Sequence, residues 1–220
     1  FHSLLRTFAI LTFFAAAVTS QNCQHGLTAN DVASNSRLDL TGSVALVTGG
    51  RSGLGYAITE ALLQQGCRVV IASRNLSKNQ QAVQDLKGAV PGADVSFMTF
   101  DLESFDSVRT LAADFVGNHT RLDYYFGNAG QGAFGAQPPT IDGYERIFQV
   151  NYVSQVLLLE LLLPLLRRSE PGRVLLTASS THSLACGSLR LSPEDQCWND
   201  GSAVAKLPFD QAGGCSGRHL

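Results

Sequence analysis

Ser43-Val44-Ala45-Leu46-Val47-Thr48-Gly49-Gly50-Arg51-Ser52-Gly53-Leu54-Gly55 is the stretch on which the fold turns. Residues 43–48 form a short apolar run that stops at a glycine pair, the pattern of a strand buried on both faces. From 54 to 65 the apolar spacing becomes helical, and Gly66 stands where a helix C-cap falls. A glycine-rich loop between a strand and a helix has a physical use. Glycine permits the tight turn, lets the backbone approach a pyrophosphate and lets the helix pack close to the sheet. The helix N-terminus then offers free N–H donors and partial positive charge to the phosphates. Gly49, Arg51, Ser52, Gly53, Leu54 and Gly55 are therefore candidate dinucleotide contacts. An ordinary glycine-rich connection is the competing reading. The spacing is not that of a P-loop, because no Gly-Lys-Ser/Thr follows.

Outward from this loop the alternation continues. Residues 68–72 read as a strand, 76–87 as a helix, 95–100 as a strand and 104–116 as a helix with Ser104 as its N-cap. Residues 122–126 read as a fourth strand closed by Gly127-Asn128-Ala129-Gly130. A long helix is predicted over 141–168, interrupted by Pro164, and a fifth strand over 174–178. Strands alternating with helices at this spacing imply right-handed βαβ units. The fold class is α/β: a doubly wound parallel sheet of Rossmann type over residues 41–180, truncated after the fifth strand. The leucine run at 157–166 holds Glu160 and Pro164 and is too short to span a bilayer, so it reads as a core or interface helix. Residues 181–220 carry three of the five cysteines and no convincing element, and read as an irregular tail.

At the end of the second strand, a cofactor with a free ribose 2′-hydroxyl calls for an Asp or Glu. The sequence has Ala72-Ser73-Arg74-Asn75 instead. Arg74 can form a charge-assisted fork with a 2′-phosphate, with Arg51 as a second cation, which favours NADP(H) over NAD(H). A solvated surface arginine is the alternative.

Composition limits the rest. The chain has 220 residues, 45% hydrophobic and 15% charged, enough for one well-buried domain and too apolar for a disordered chain. A net charge of −2 argues against nucleic acid as a partner. Five cysteines without a C-x-x-C spacing give no metal site and no complete disulfide framework. Arg6 precedes an apolar run at 7–18 and small residues at 18–20, which read as a signal peptide or membrane anchor. That places the chain in the endoplasmic reticulum or secretory pathway, with membrane association open. Residues 21–40 read as a polar spacer without strong periodicity. Two glycosylation sequons, at Asn75 and Asn118, can report a lumenal location.

A series of motifs in order carries a resemblance. Thr48 to Gly55 resembles the T-G-x-x-x-G-x-G cofactor motif of the short-chain dehydrogenase/reductase family. Asp101-Leu102 resembles that family's adenine-contacting pair. Asn128-Ala129-Gly130 resembles the core of its N-N-A-G motif, with Gly127 in place of the first asparagine. Asn151 falls at the asparagine of its proton relay, and Ser180 at its substrate-orienting serine. The resemblance covers about residues 41–182 and is strongest to the branch holding retinol and steroid dehydrogenases. It implies hydride transfer between a nicotinamide and a small-molecule alcohol or ketone, lipid-like by analogy, and leaves a homodimer through the 141–168 helix open.

The family's acid is a tyrosine with a lysine four residues later, on one helix face. Tyr56, Tyr124, Tyr125, Tyr144 and Tyr152 have no lysine at that spacing, and Lys206 follows Ser202 instead. Two expectations compete: a chain that ends before that helix, which the lack of helical pattern around Lys206 favours, or a catalytically inactive dinucleotide-binding or scaffold protein.

Overall fold

A computed structural model describes residues 28–36, 38–132, 137–170 and 172–179. The leader at 1–20, the tail at 181–220, Ser180, Ser202 and Lys206 lie outside the described residues. Among the described residues, five strands form one parallel sheet: β1 (Val44–Thr48), β2 (Arg68–Ser73), β3 (Val95–Thr99), β4 (Tyr124–Gly127) and β5 (Arg173–Leu176). Their order across the sheet is β3-β2-β1-β4-β5. The helices are α1 (Ala29–Ser36), α2 (Gly53–Gln64), α3 (Leu76–Ala89), α4 (Phe105–Asn118) and α5 (Arg146–Leu166).

β1 is buried at all five positions, which is why it lacks polar alternation. Val44 and Leu46 enter one core with Phe115 and Tyr125 of the α4 and β4 region and Leu158 and Leu162 of α5. Ala45 and Val47 face the opposite way, into a second core with Leu63 of α2 and Leu86 of α3. One strand thus anchors helices on both faces of the sheet. The chain passes from β3 back across to β4, on the other side of β1. This reversal leaves a crevice beyond the carboxyl ends of β1 and β4, the place where open α/β sheets bind ligands.

Three expectations need correction. The polar spacer contains a helix, α1. Thr28 and Asp31 cap it reciprocally: the Thr28 N–H donates to Asp31 at 2.8 Å and the Asp31 N–H to the Thr28 hydroxyl at 3.2 Å. Its contact with α2 includes Asn30 Nδ2 donating to Glu60 at 3.0 Å, yet it buries no residue fully, so it leaves no apolar stripe to read. The long helix starts at Arg146 rather than 141. The Glu145 carboxylate accepts from the Ile147 and Phe148 N–H groups at 2.9 and 2.6 Å and sets its first turn, while Gly143 turns the preceding loop at φ 84°. β5 covers 173–176 rather than 174–178.

Although α5 is long and apolar enough to cross a membrane, Leu158, Leu162, Leu165 and Leu166 are buried against the sheet. It is a core helix, with Glu160, Leu161 and Pro164 on its outer side.

Candidate functional site

The crevice is lined by Gly49, Arg51 and Ser52 after β1, Ser73 and Arg74 after β2, and Phe100, Asp101 and Leu102 after β3. Asn128, Ala129, Gly130 and Gln131 after β4, with Val150 of α5, complete it. Four loops far apart in sequence thus meet in one cleft, and nine of the twelve sequence-derived cofactor candidates line it. Gly53, Leu54 and Gly55 do not. Leu54 is 71% exposed on the first turn of α2. Gly55 works from behind the cleft: a Cβ there would lie 2.3 Å from the Gly49 carbonyl oxygen, so only glycine lets α2 close on the loop.

The helix ends differ in a telling way. α3 is capped by Asn75, whose side chain accepts from the Lys78 N–H, and α4 by Ser104, which accepts from the Ser107 N–H. Ser52, at the head of α2, makes no such side-chain bond. The N-terminus facing the cleft therefore keeps its first-turn N–H groups without a side-chain acceptor, beside a loop in which Gly49 has φ 69°. A Cβ on Gly49 would approach Ala129 Cα to 3.1 Å. The two loops are thus spaced to leave a backbone-lined cradle, which fits a pyrophosphate.

A polar clamp that the sequence reading missed sets that spacing. The Thr48 hydroxyl accepts from the Asn128 and Ala129 N–H groups at 2.9 and 3.0 Å and donates to the Phe126 carbonyl at 3.2 Å. Asn128 Nδ2 donates back to the Thr48 carbonyl at 3.2 Å. Gln155 of α5, buried, donates to the Ala129 carbonyl at 2.9 Å and accepts from the Tyr125 hydroxyl at 2.7 Å. Burial holds the Tyr125 phenol above its ordinary range. At Gly127 a Cβ would come 2.6 Å from Leu176 Cδ2 and 3.4 Å from Gln155 Oε1, so a larger residue there would have to displace the Leu176 side chain. The departure from the family's paired asparagines thus coincides with a space filled by Leu176 and Gln155. Thr48 was legible as part of the glycine motif; Gln155, in a leucine-rich helix, was signalled only by being polar there.

Asn151 lies in a π-helical turn of α5, Gln149–Val153. Its Oδ1 accepts from the Gln131 N–H at 2.8 Å and its Nδ2 donates to the Gln131 carbonyl at 2.9 Å, so it fixes the loop after β4. Asp101 turns its own loop, accepting from the Glu103 N–H at 3.0 Å. Arg74 reaches Glu103 Oε1 at 2.8 Å. Among the described residues lining the cleft, Arg51, Arg74 and Asp101 carry charge, and none is a tyrosine or lysine.

A family model described as short chain dehydrogenase matches residues 43–187. An uncharacterized oxidoreductase of Schizosaccharomyces pombe is 40% identical over 143 residues, covering 62% of this chain and 41% of that protein. Retinol dehydrogenase 11 of Mus musculus is 33% identical over 149 residues, covering 68% of this chain and 47% of that protein. The chain spans about two-fifths of the first relative and about half of the second. Among solved structures, the Pseudomonas aeruginosa RhlG/NADP active-site complex aligns with a TM-score of 0.53 at 35% identity, over 62% of this chain and 53% of that one.

Proposed function

The chain belongs to the short-chain dehydrogenase family, and on that premise we propose that it binds NADP(H) in preference to NAD(H), as part of an oxidoreductase for an alcohol or ketone. The observation that carries this reading is the uncapped head of α2, facing a glycine cradle with Arg74 at its far end. The likeness to the Pseudomonas aeruginosa RhlG/NADP complex supports it. The bound dinucleotide would supply hydride transfer at the nicotinamide ring. The α2 N–H groups and the Gly49 loop hold the pyrophosphate. Arg74 meets the 2′-phosphate, with Asp101 and Leu102 beside the adenine. Asn128, Ala129 and Gly130 of the cleft wall would border the dinucleotide, with Asn151 fixing the chain at Gln131 just beyond them.

Completing the transfer needs a proton donor at the developing alkoxide. Ser180, at the family's substrate-orienting position, and Asn151 can orient a carbonyl, but neither ionises. Ser202 is a far weaker acid than a phenol and too short to reach the same point. We therefore expect these 220 residues to bind the dinucleotide without turning over a substrate.

A lipid-like alcohol or ketone follows from the likeness to a retinol dehydrogenase, and the apolar leader fits the endoplasmic reticulum. A homodimer through the outer face of α5 belongs to the same proposal. Fluorescence titration with NADPH and NADH tests the core of it. NADPH should bind tighter, and Arg74→Asp should remove the preference at a cost of about 1.5–3 kcal/mol in NADPH binding. Equal affinities in the unsubstituted chain would sink the assignment of Arg74. A reporter fused behind residues 1–40 that stays diffuse in the cytosol would sink the compartment.

A further inference from the structure

Arg74 does not stand alone at the ribose end of the cleft. Glu103 places Oε1 2.8 Å from Arg74 Nη1 and Oε2 2.6 Å from Arg146 Nη1. Arg146, the first residue of α5, also donates from Nε to the Pro138 carbonyl at 3.3 Å. The three side chains come from three separate segments, after β2, after β3 and at the head of α5, and one carboxylate bridges two guanidiniums. Their exposures differ: Arg74 is 60% exposed, Arg146 23% and Glu103 15%. The bridging carboxylate and its far partner are thus tucked in, while Arg74 stays open toward solvent and the cleft.

The charges decide what an incoming phosphate meets. Glu103 by itself would cancel Arg74 and repel a 2′-phosphate carrying nearly two negative charges. Arg146 restores one net positive charge to the cluster. Because Arg146 is anchored on Pro138 and does not line the cleft, its influence passes through Glu103.

We infer that Glu103 and Arg146 set the dinucleotide preference, Arg146 acting as a positioning residue that holds the second oxygen of Glu103 and offsets its charge, so that Arg74 is not fully neutralised. The inference rests on the NADP(H) reading above and deepens it, assigning selectivity to two residues that no cofactor motif includes. The sign of each substitution follows from the net charge. Glu103→Gln keeps the shape of the side chain and an acceptor for one guanidinium, turns an amide N–H toward the other, and adds a positive charge to the cluster. Arg146→Met keeps the apolar stem and leaves Glu103 to neutralise Arg74. The double substitution returns the cluster to its original charge.

The experiment is a titration of NADPH and NADH into four forms of the chain: unsubstituted, Glu103→Gln, Arg146→Met and the double. Arg146→Met should lower the NADPH-over-NADH preference about fivefold, and Glu103→Gln should raise it by a similar factor. The double should return close to the starting ratio, and both shifts should shrink with added salt. NADH affinity should hold steady throughout, which separates a change of field from a damaged site. NADPH and NADH moving together, or Glu103→Gln weakening NADPH, would overturn the inference. If Arg74→Asp removes the preference while these four forms share one ratio, the inference fails and the cofactor reading stands. An unsubstituted chain without preference sinks both.

Discussion

Asn151 grips the backbone of Gln131 from both sides, accepting from its N–H at 2.8 Å and donating to its carbonyl at 2.9 Å. A side-chain amide paired in this way with one peptide unit ties α5 to the loop after β4, and with it the Asn128-Ala129-Gly130 wall of the cleft. Gly130 is close enough that an added Cβ would sit 3.1 Å from Asn151 Oδ1. Asn151→Ala removes both bonds, at about 1 kcal/mol each. Asn151→Asp keeps the acceptor but turns a carboxylate oxygen on the Gln131 carbonyl. Both variants should weaken NADPH binding, with Asp at least as harmful as Ala. Parallel titrations and thermal midpoints check this; an Asp variant that binds like the unsubstituted chain would contradict the role of the donor.

The glycines of the cofactor loop separate into two kinds, and substitution should tell them apart. At Gly55 a Cβ meets the backbone carbonyl of Gly49 at 2.3 Å, and backbone cannot swing aside as a side chain can. Gly55→Ala should destabilise by about 3 kcal/mol and abolish dinucleotide binding. At Gly53 the space is open and the demand is conformational, φ 57°. Gly53→Ala should cost about 1–2 kcal/mol and leave the cradle in place. Denaturant melts of the two variants give the comparison directly.

The sheet, its helices and the loops that line the cleft were legible in the sequence because their signals are local. Strands buried on both faces must be apolar runs, as at β1, and a glycine loop between strand and helix has few other uses. What was not legible depends on partners distant in sequence. Gln155 reads as a stray polar residue until Tyr125 and Ala129 are beside it, and Glu103 and Arg146 lie 43 positions apart. Helix α1 escaped notice because its caps are local but its contacts are polar and partly exposed. The apolar spacing predicts α5 from residue 141, five residues before it begins, because the loop ahead of it contains Ile141 and Tyr144, which mimic helical spacing; Ile141 is in fact 82% exposed.

Asp123 joins three strands at the base of the sheet. Its buried carboxylate accepts from the Val44 N–H at 2.8 Å and takes Arg121 in a fork, Nε at 2.9 Å and Nη2 at 2.5 Å. Its backbone N–H donates to the Val44 carbonyl, and its carbonyl accepts from the Arg173 N–H at the start of β5. Asp123→Leu would leave the Val44 donor buried without its acceptor and strip Arg121 of its partner. The expected loss is about 3 kcal/mol. Arg121→Gln, at a side chain 46% exposed, should cost much less. Equal losses from the two substitutions would mean that the ion pair, rather than the buried carboxylate's bond to Val44, is what counts.

His119 ends α4 with its ring stacked on Phe115, centroids 4.3 Å apart. Burial lowers its pKa below the ordinary 6.5, and the Arg68 guanidinium pushes the same way against a weaker pull from Asp94. The neutral ring is therefore the form the fold prefers. Well above pH 6.5 the ring is neutral whether the chain is folded or not, and it contributes no pH dependence. As pH falls through 6.5 the unfolded chain takes up a proton before the folded one does, so stability declines. The decline continues until pH passes below the lowered folded-state value and then levels off. His119→Phe keeps an aromatic partner for Phe115 and cannot be protonated. Its thermal midpoint should fall less than that of the unsubstituted chain between pH 7 and about pH 5. Parallel curves for the two proteins across that window would show that His119 is not the group responsible.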